Sequence, residues 1–549
     1  MITNAEIADN FSLLSKLMDI HGQNEFKAKS YSAAAYSIEK IPVELSEIDP
    51  AKYATYKGIG NSAAEKIREL FDFGEIKLLK QLIEQTPTGI MEMMAIKGLG
   101  PKKIAVIWKE LGIESPGELL YACEENRLAA VKGFGEKSQA TIKDNIEFFF
   151  KNKNIFLYAD VASFIEEVDQ RLKAVFHEQR FAVTGAFRRQ MEIVQEAEWV
   201  TTAGITPLKD ELSKHDFETE EETSNSILFK SEAGLRLKFY IANEHNFGTR
   251  LFETSCSEQF LERWGAVQEA ADETTIFQSK NIAFIPSFYR EELNTAPLPD
   301  FIQTSSVKGI IHSHSNWSDG SNTIEEMAQE CIKRGLEYLV ISDHSKAAHY
   351  ANGLNEDRIR AQHALIDELN EKLQPFKIFK SIECDILGEG QLDYDEKTLE
   401  SFDLVIASVH SNLRMSEEKA MMRLLNAINN PFTTILGHMT GRLLLSRKGY
   451  PVNHEQIIRA CADSGVVIEL NAHPRRLDID WRYIKTAIEH NVLISINPDA
   501  HALSGFDDIK YGVLVAQKAG LTAKQNLSSF SRAEMESYLR NRRDHIQKL

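Results

Sequence analysis

The sequence predicts a multidomain protein. An α-helical N-terminal third is followed by a mixed α/β middle and a C-terminal parallel (β/α)7 barrel. Three observations predict this. A Lys-Gly-x-Gly element recurs three times within a helical region. After residue 306, seven short apolar strands alternate with helical stretches. Six of those seven strands run at their C-terminal ends into histidine, aspartate or glutamate. A chain of 549 residues exceeds what one core can organise, so about two to four domains are expected. We place them at 1–150, 151–295 and 306–549.

Composition narrows the function classes. Hydrophobic content of 43% and charged content of 26% are those of an ordinary globular protein. The longest apolar runs, such as Val466 to Leu470, are far too short to span a bilayer, so no membrane is implied. The start, Met1-Ile2-Thr3-Asn4-Ala5-Glu6, lacks the basic and apolar regions of a signal peptide. Cys123, Cys256, Cys331, Cys384 and Cys461 are scattered without CxxC spacing, which suits reduced thiols in a cytoplasm. The net charge of −18 argues against a protein that coats nucleic acid electrostatically. Residues 1–150 hold 18 Lys and Arg against 22 Asp and Glu, so no basic half hides in that total.

The first third has apolar residues at helical spacing. Its recurring element reads Lys57-Gly58-Ile59-Gly60, Lys97-Gly98-Leu99-Gly100 and Lys132-Gly133-Phe134-Gly135, each followed by a helix-forming run such as Pro101-Lys102-Lys103-Ile104. The physics is that of a helix-hairpin-helix turn. Gly58, Gly60, Gly98, Gly100, Gly133 and Gly135 permit a tight turn, and the next helix offers its positive N-terminus to a phosphate. A DNA backbone can be held this way without a basic surface and without reading bases. One such turn is a common helix end; three copies predict backbone binding, with Lys102 beside the second. Lys66, after the first turn, is either a solvated helix lysine or a Schiff-base lysine for an abasic sugar.

Residues 151–295 have strand character at Phe181-Ala182-Val183-Thr184-Gly185 and at Arg236-Leu237-Lys238-Phe239-Tyr240-Ile241. The acidic run Glu218-Thr219-Glu220-Glu221-Glu222 reads as a solvated loop. Gly185-Ala186-Phe187-Arg188-Arg189 followed by Glu196-Ala197-Glu198 invites a nucleotidyl-transfer reading, a phosphate turn and then paired carboxylates for two metals. A surface strand beside a charged helix is the alternative. Asn294-Thr295-Ala296-Pro297-Leu298-Pro299 reads as a linker.

The barrel strands read as Lys308–His312, Tyr338–Ser342, Ile378–Cys384, Leu404–Val409, Thr433–Leu436, Val466–Leu470 and Val492–Ile496. In a parallel barrel the strand C-termini converge on one mouth. His312, His314, Asp319, His344, Glu383, His410, His438, Asp499 and His501 are therefore expected around one cavity. Alternation along the first strand should put both imidazoles of His312-Ser313-His314 on one face. Imidazoles and carboxylates in this number suit two or three divalent ions, and Mn²⁺, Zn²⁺ and Fe²⁺ all fit the donor set. Such a cluster supports phosphoester hydrolysis. Arg442, Arg475 and Arg476 are candidate phosphate clamps, with surface arginine the alternative.

His312-Ser313-His314, Ser318-Asp319-Gly320, Ser342-Asp343-His344, Ile382-Glu383-Cys384-Asp385, Ser408-Val409-His410-Ser411, Gly437-His438-Met439-Thr440-Gly441-Arg442 and Asp499-Ala500-His501 resemble the motifs of a PHP (polymerase and histidinol phosphatase) domain. The whole chain resembles the bacterial family X DNA polymerases that end in this domain. The resemblance implies a distorted (β/α)7 barrel, a trinuclear metal site and Mn²⁺-dependent 3′-5′ exonuclease activity on gapped, nicked or 3′-ended DNA. Abasic-site endonuclease and 3′-phosphatase activities in DNA repair are also implied. It makes residues 151–295 a nucleotidyltransferase-like palm and thumb, and it puts Lys66 where eukaryotic relatives carry a lyase lysine.

The palm departs from that family's pattern. Its Gly-Ser motif is Gly185-Ala186, its paired aspartates are Glu196 and Glu198, and its third aspartate is Lys238. A longer carboxylate displaces a metal, and a lysine adds positive charge where a cation must sit. Such losses multiply into a barrier of several kcal/mol. The leading expectation is a DNA exonuclease whose palm survives as a scaffold. An active gap-filling polymerase and a small-molecule phosphatase with an N-terminal interaction module are the alternatives.

Overall fold

The structure, a computed structural model, describes residues 2–546 apart from 125–127, 130, 152–154, 231–234 and 446–447. Its contacts group the chain into two units, Met1–Lys153 and Asn154–Leu549. Among the described residues, no helix is long and apolar enough to cross a membrane.

The first unit is helical. Helix Asn4–His21 opens on a capping box between Thr3 and Glu6 and ends at Gly22, whose φ of 70° few other residues adopt. Each recurring glycine element is a turn between two helices. Its first glycine has positive φ, 90° at Gly58, 84° at Gly98 and 94° at Gly133. Gly60 and Gly100 are extended and cap the helices Asn61–Phe73 and Pro101–Leu111, and Glu136–Lys151 follows Gly135. Ile59 and Leu99 are buried between the glycines and pin each turn to the core, while the glycines stay at the surface. Phe134 is partly buried in the same core. Asn145 donates to the Lys97 carbonyl at 2.8 Å, so the second turn is tied to the helix after the third.

The second unit opens with strands β1 (Phe156–Leu157), β2 (Phe181–Thr184), β3 (Ile193–Val194), β4 (Glu196–Thr201), β5 (Glu218–Glu222), β6 (Ser226–Lys230) and β7 (Arg236–Ile241). β1 pairs with β3, and the others form a sheet of order β2-β4-β7-β6-β5. β4 and β7 run parallel and the other neighbours antiparallel. The acidic run expected as a loop is strand β5. It pairs with β6 and is exposed along its whole length, an edge strand whose charges discourage further pairing.

The barrel follows the coil at 294–300. Its strands are β8 (Gly309–Ile310), β9 (Tyr338–Ile341), β10 (Lys377–Asp385), β11 (Leu404–Ser408), β12 (Thr433–Leu436), β13 (Val467–Asn471) and β14 (Ile494–Asn497), parallel and in sequential order. A bridge between Ser313 and Ala500 nearly closes the ring. Alternate residues face opposite sides of each strand. On β10, Ile378, Ile382 and Cys384 pack outward against the helices, and Phe379 packs with the inner cluster. That inner cluster contains Ile311, Val340, Ile406, Ile435 and Val467, together with Met535 and Leu539 of the last helix, Arg532–Ile546. The strands thus carry apolar side chains at one end of the interior and polar ones, such as Glu383 and Glu469, towards the other.

Candidate metal centre

The nine side chains expected at the barrel mouth meet there. His312 Nε2 lies 3.2 Å from Glu383 Oε1 and 3.4 Å from Asp499 Oδ1. His314 Nε2 lies 3.1 Å from Asp499 Oδ1, and His344 Nδ1 lies 3.0 Å from Glu383 Oε2. Glu383 Oε1 also faces His410 Nε2 at 3.1 Å and His438 Nε2 at 3.0 Å. Asp319 Oδ2 is 3.5 Å from both His344 Nε2 and His501 Nε2. Three sets of donor atoms lie within 4.8 Å of one another: His314, Asp319, His344 and His501; His312, His314 and Asp499; His344, Glu383 and His410.

The route to this geometry differs from plain strand alternation. The β8 ladder stops at Ile310, and His312 takes a φ of 63°. The chain kinks, His314 N donates to the Ala500 carbonyl at 2.8 Å, and the two imidazoles stand 5.3 Å apart. Asp499 also has positive φ, 52°. Such backbone is costly outside glycine and persists where the surroundings enforce it.

Electrostatics shows what the cluster lacks in protein atoms alone. Burial would raise the Glu383 and Asp499 carboxyls. The surrounding imidazoles, led by His410 for Glu383 and by His312 for Asp499, instead hold both well below the usual range. Burial opposes charge on the histidines too. Even so, Glu383 pulls His344 up to about 10 and His410 up to about 9, and Glu469 pulls His312 up. His314 is pushed down to about 3 by burial and by neighbouring His501 and His344. The carboxylates thus demand nearby positive charge. His312 Nε2, His314 Nδ1, His438 Nδ1 and Glu383 Oε2 are buried and make no aligned hydrogen bond, although charged neighbours stand close to His312 Nε2 and Glu383 Oε2. These unmatched donor atoms fit divalent cations.

Several side chains at the mouth escaped the sequence reading. No ligand is expected from the sixth barrel strand, yet Glu469 and Asn471 of β13 are fully buried there. Glu469 Oε2 lies 2.6 Å from His312 Nδ1, and Asn471 Nδ2 donates to Asp499 Oδ2 at 3.0 Å. Asp385 Oδ1 faces His410 Nδ1 at 3.1 Å. A carboxylate behind an imidazole fixes which ring nitrogen faces the cluster. A lone acid at an inward position of an apolar strand is the signal that could have found Glu469.

Residues 2–76 match the family described as a helix-hairpin-helix domain, residues 90–146 a SAM-like helix-hairpin-helix tandem, and residues 311–473 the PHP domain. Over 553 aligned residues the chain is 32% identical to the DNA polymerase/3′-5′ exonuclease PolX of Bacillus subtilis, covering 95% of this chain and 97% of that one. The chain belongs to the family X DNA polymerases that carry a PHP domain. A probable phosphatase of Thermoanaerobacter sp. is 29% identical over 252 residues, which are 43% of this chain and 95% of the relative. One from Syntrophotalea carbinolica is 27% identical over 238 residues, 40% and 92% of the two chains.

Glu196, Glu198 and Lys238, expected as part of a departed polymerase palm, lie on the neighbouring strands β4 and β7. Lys238 stands in register with Glu198 on the neighbouring parallel strand. Glu196 is taken by Arg236 at 2.9 Å and Lys238 at 3.5 Å. Glu198 accepts from Tyr240 at 2.9 Å and from the Ala186 amide at 3.2 Å. Burial raises its carboxyl. It packs so closely on the turn that a Cβ at Gly185 would lie 1.5 Å from Glu198 Oε2. Both acids are satisfied by protein atoms.

Arg442 gives Nε to the Arg476 carbonyl at 2.9 Å, Nη1 to Asp480 at 2.6 Å and Nη2 to the Leu477 carbonyl. Three of its five N–H groups are held by the loop after β13, so Arg442 braces that loop. Arg475 is exposed, whereas Arg476 Nε lies 3.5 Å from Asp499 Oδ2 in the cluster. Lys66 donates to Glu69 at 2.5 Å, and exposed Lys102 pairs with Glu25 at 2.8 Å.

Proposed function

We propose that this chain is a metal-dependent 3′-5′ exonuclease of DNA repair. Its hydrolytic site is the barrel mouth, and its palm does not polymerise. The observation that carries the reading is the convergence of eight histidines and acids into three donor sets at one barrel mouth, with His438 beside them at 3.0 Å from Glu383. The family relationship supports the same reaction. In this reading His314, Asp319, His344 and His501 hold one divalent ion, His312, His314 and Asp499 a second, and His344, Glu383 and His410 a third, with His438 against Glu383. Mn²⁺ is the working ion. Bound there, the ions would supply Lewis-acid charge and an activated water for phosphoester hydrolysis.

The protein's own groups do the rest. Glu469 and Asp385 hold His312 and His410 in orientation. Arg476 meets the scissile phosphate beside Asp499. The turns at Gly58–Gly60, Gly98–Gly100 and Gly133–Gly135 hold the backbone of gapped, nicked or 3′-ended DNA. Lys66, tied to Glu69, is read as a structural lysine. Domains at 1–150, 151–295 and 306–549 and a cytoplasmic location complete the proposal.

The test is a labelled primer–template with Mn²⁺, with and without nucleotides. Primer shortening that disappears in His312→Ala with His314→Ala is the expected result. Extension that survives those changes, with no shortening by the parent protein, would overturn the reading. Activity confined to a small phosphoester would favour a phosphatase like the shorter relatives.

A further inference from the structure

A polar chain runs from the palm to the barrel mouth, and it begins at an acid that lines the same pocket as Ala186, Glu196 and Glu198. Glu192, on the turn before β3, is 6% exposed although it is an acid. Its Oε2 accepts from Trp481 Nε1 at 3.1 Å and its Oε1 from Arg482 Nη1 at 2.9 Å. Both donors belong to the barrel helix Trp481–Glu489. The same Arg482 nitrogen reaches Asp480 Oδ1 at 2.9 Å. Asp480 Oδ2 in turn receives Arg442 Nη1 at 2.6 Å, and Arg442 Nε holds the Arg476 carbonyl at 2.9 Å. Arg476 ends the chain, with its Nε 3.5 Å from Asp499 Oδ2. Beside it, Met191 of the palm turn lines a crevice with Pro474 and Leu477 of the loop that carries Arg476.

The loop at 473–480 needs such support. It lies outside the barrel's regular strands, and Leu477 has a positive φ of 44°. Arg442 gives three of its donor positions to this segment, so the segment is braced from the barrel side. Asp480 carries that brace onward, shared between Arg442 and Arg482. Arg482 is oriented by Glu192 from the palm. Removing the Glu192 carboxylate would leave Trp481 Nε1 without an acceptor and free Arg482 to turn away from Asp480.

We infer that Glu192 is a positioning residue for the barrel site: the palm steadies the 473–480 loop and so places Arg476 beside Asp499. The inference rests on the proposed nuclease reading for its catalytic consequence but not for its structural one. It gives a palm without polymerase chemistry a physical task in hydrolysis.

The test uses the full chain and compares Glu192→Ala, Glu192→Gln and the parent. The first measurement is amide hydrogen exchange with no metal or DNA added. Glu192→Ala should speed exchange at 473–482 selectively. Unchanged exchange there, or a rise spread evenly over Asn154–Leu549, would overturn the inference. The second is primer shortening with Mn²⁺. Glu192→Ala should lower kcat by about two- to thirtyfold, the range expected of coupling through a braced network, with little change in KM. Glu192→Gln keeps one acceptor and should retain an intermediate rate. Adding Glu192→Ala to Arg476→Lys should cost less than it costs alone; full additivity would also count against the inference. A parent protein that shortens no primer would defeat the functional reading, and the exchange data would still decide the brace.

Discussion

Glu469 Oε2 lies 2.6 Å from His312 Nδ1, and both side chains are fully buried. A carboxylate only accepts, so this contact keeps a proton on Nδ1 and leaves Nε2 as the ring nitrogen that faces Glu383 and Asp499, where a metal would be held. The same carboxylate accepts from Asn497 Nδ2 at 2.8 Å, from the His438 amide at 3.1 Å and from Asn471 Nδ2 at 3.1 Å. Glutamine would offer a single oxygen to these converging donors. Glu469→Gln is expected to weaken metal binding by about 10- to 100-fold. Metal stoichiometry after dialysis, read by mass spectrometry, checks this. A variant that retains the parent's metal content at limiting free Mn²⁺ would remove Glu469 from the centre.

What the sequence made legible, and what it did not, follows from the range of the interactions. Local patterns revealed the glycine turns, because a buried Ile59 or Leu99 between two glycines is written in four consecutive residues. They also revealed the barrel mouth, because parallel strands all end on the same side. Glu469 was hidden in an apolar strand, where period-two alternation is blurred by burial on both faces. Arg442 shows the limit of residue type: the sequence says that a guanidinium is present, not that the nearby carbonyls of Arg476 and Leu477 claim it. Strand β5 forms only because β6 is beside it. The contact between Glu192 and Arg482 spans 290 positions, and no local pattern announces it.

On the proposed reading of residues 151–295 as a palm that does not polymerise, more than one charge separates it from polymerisation. Lys238→Asp alone would remove one partner of Glu196, but Arg236 remains at 2.9 Å and Glu198 stays packed on the Ala186 amide. It would also put a third acid beside a buried carboxyl already raised by desolvation. We expect no primer extension from Lys238→Asp and a loss of about 1–2 kcal/mol in stability. Extension should require Ala186→Ser, Glu196→Asp and Glu198→Asp as well. Nucleotide incorporation by the single variant, measured in a background with His312→Ala and His314→Ala, would contradict this account.

Lys518 makes the second unit's stability depend on alkaline pH. Its side chain is wholly buried and donates to the Arg189 carbonyl at 2.7 Å and to Glu291 at 3.0 Å. Burial outweighs the Glu291 charge and pushes the ammonium down to about 8. An unfolded lysine titrates near pH 10.4. Between these values the unfolded chain binds more protons than the folded one, so stability rises with pH. Below about pH 8 the folded state bears the full cost of the buried charge. Urea unfolding of the parent and Lys518→Met should therefore diverge in the parent's favour from pH 8 to 10, by up to about 3 kcal/mol. A difference that stays constant across that window would show that Lys518 keeps an ordinary affinity for its proton.

The glycine turns can be tested without disturbing the fold. Gly60 and Gly100 have φ of −78° and −76°. A Cβ added at either meets no atom within 4 Å. Gly60→Ala and Gly100→Ala should thus stay within about 0.5 kcal/mol of the parent's stability. Gly58 is the contrast. Its φ is 90°, and a Cβ there would lie 2.0 Å from Ser37 Oγ, so Gly58→Ala should cost about 1–3 kcal/mol whatever the turn binds. If the turns hold a phosphate against their amides, a methyl group at the surface glycine obstructs it. Each alanine should then weaken DNA binding by about 1.5 kcal/mol, roughly tenfold, the worth of a charge-assisted hydrogen bond. Fluorescence anisotropy at matched salt, with thermal unfolding as the control, separates the two effects. Parent-like affinity in the Gly60→Ala, Gly100→Ala double variant would take these turns out of the DNA interface.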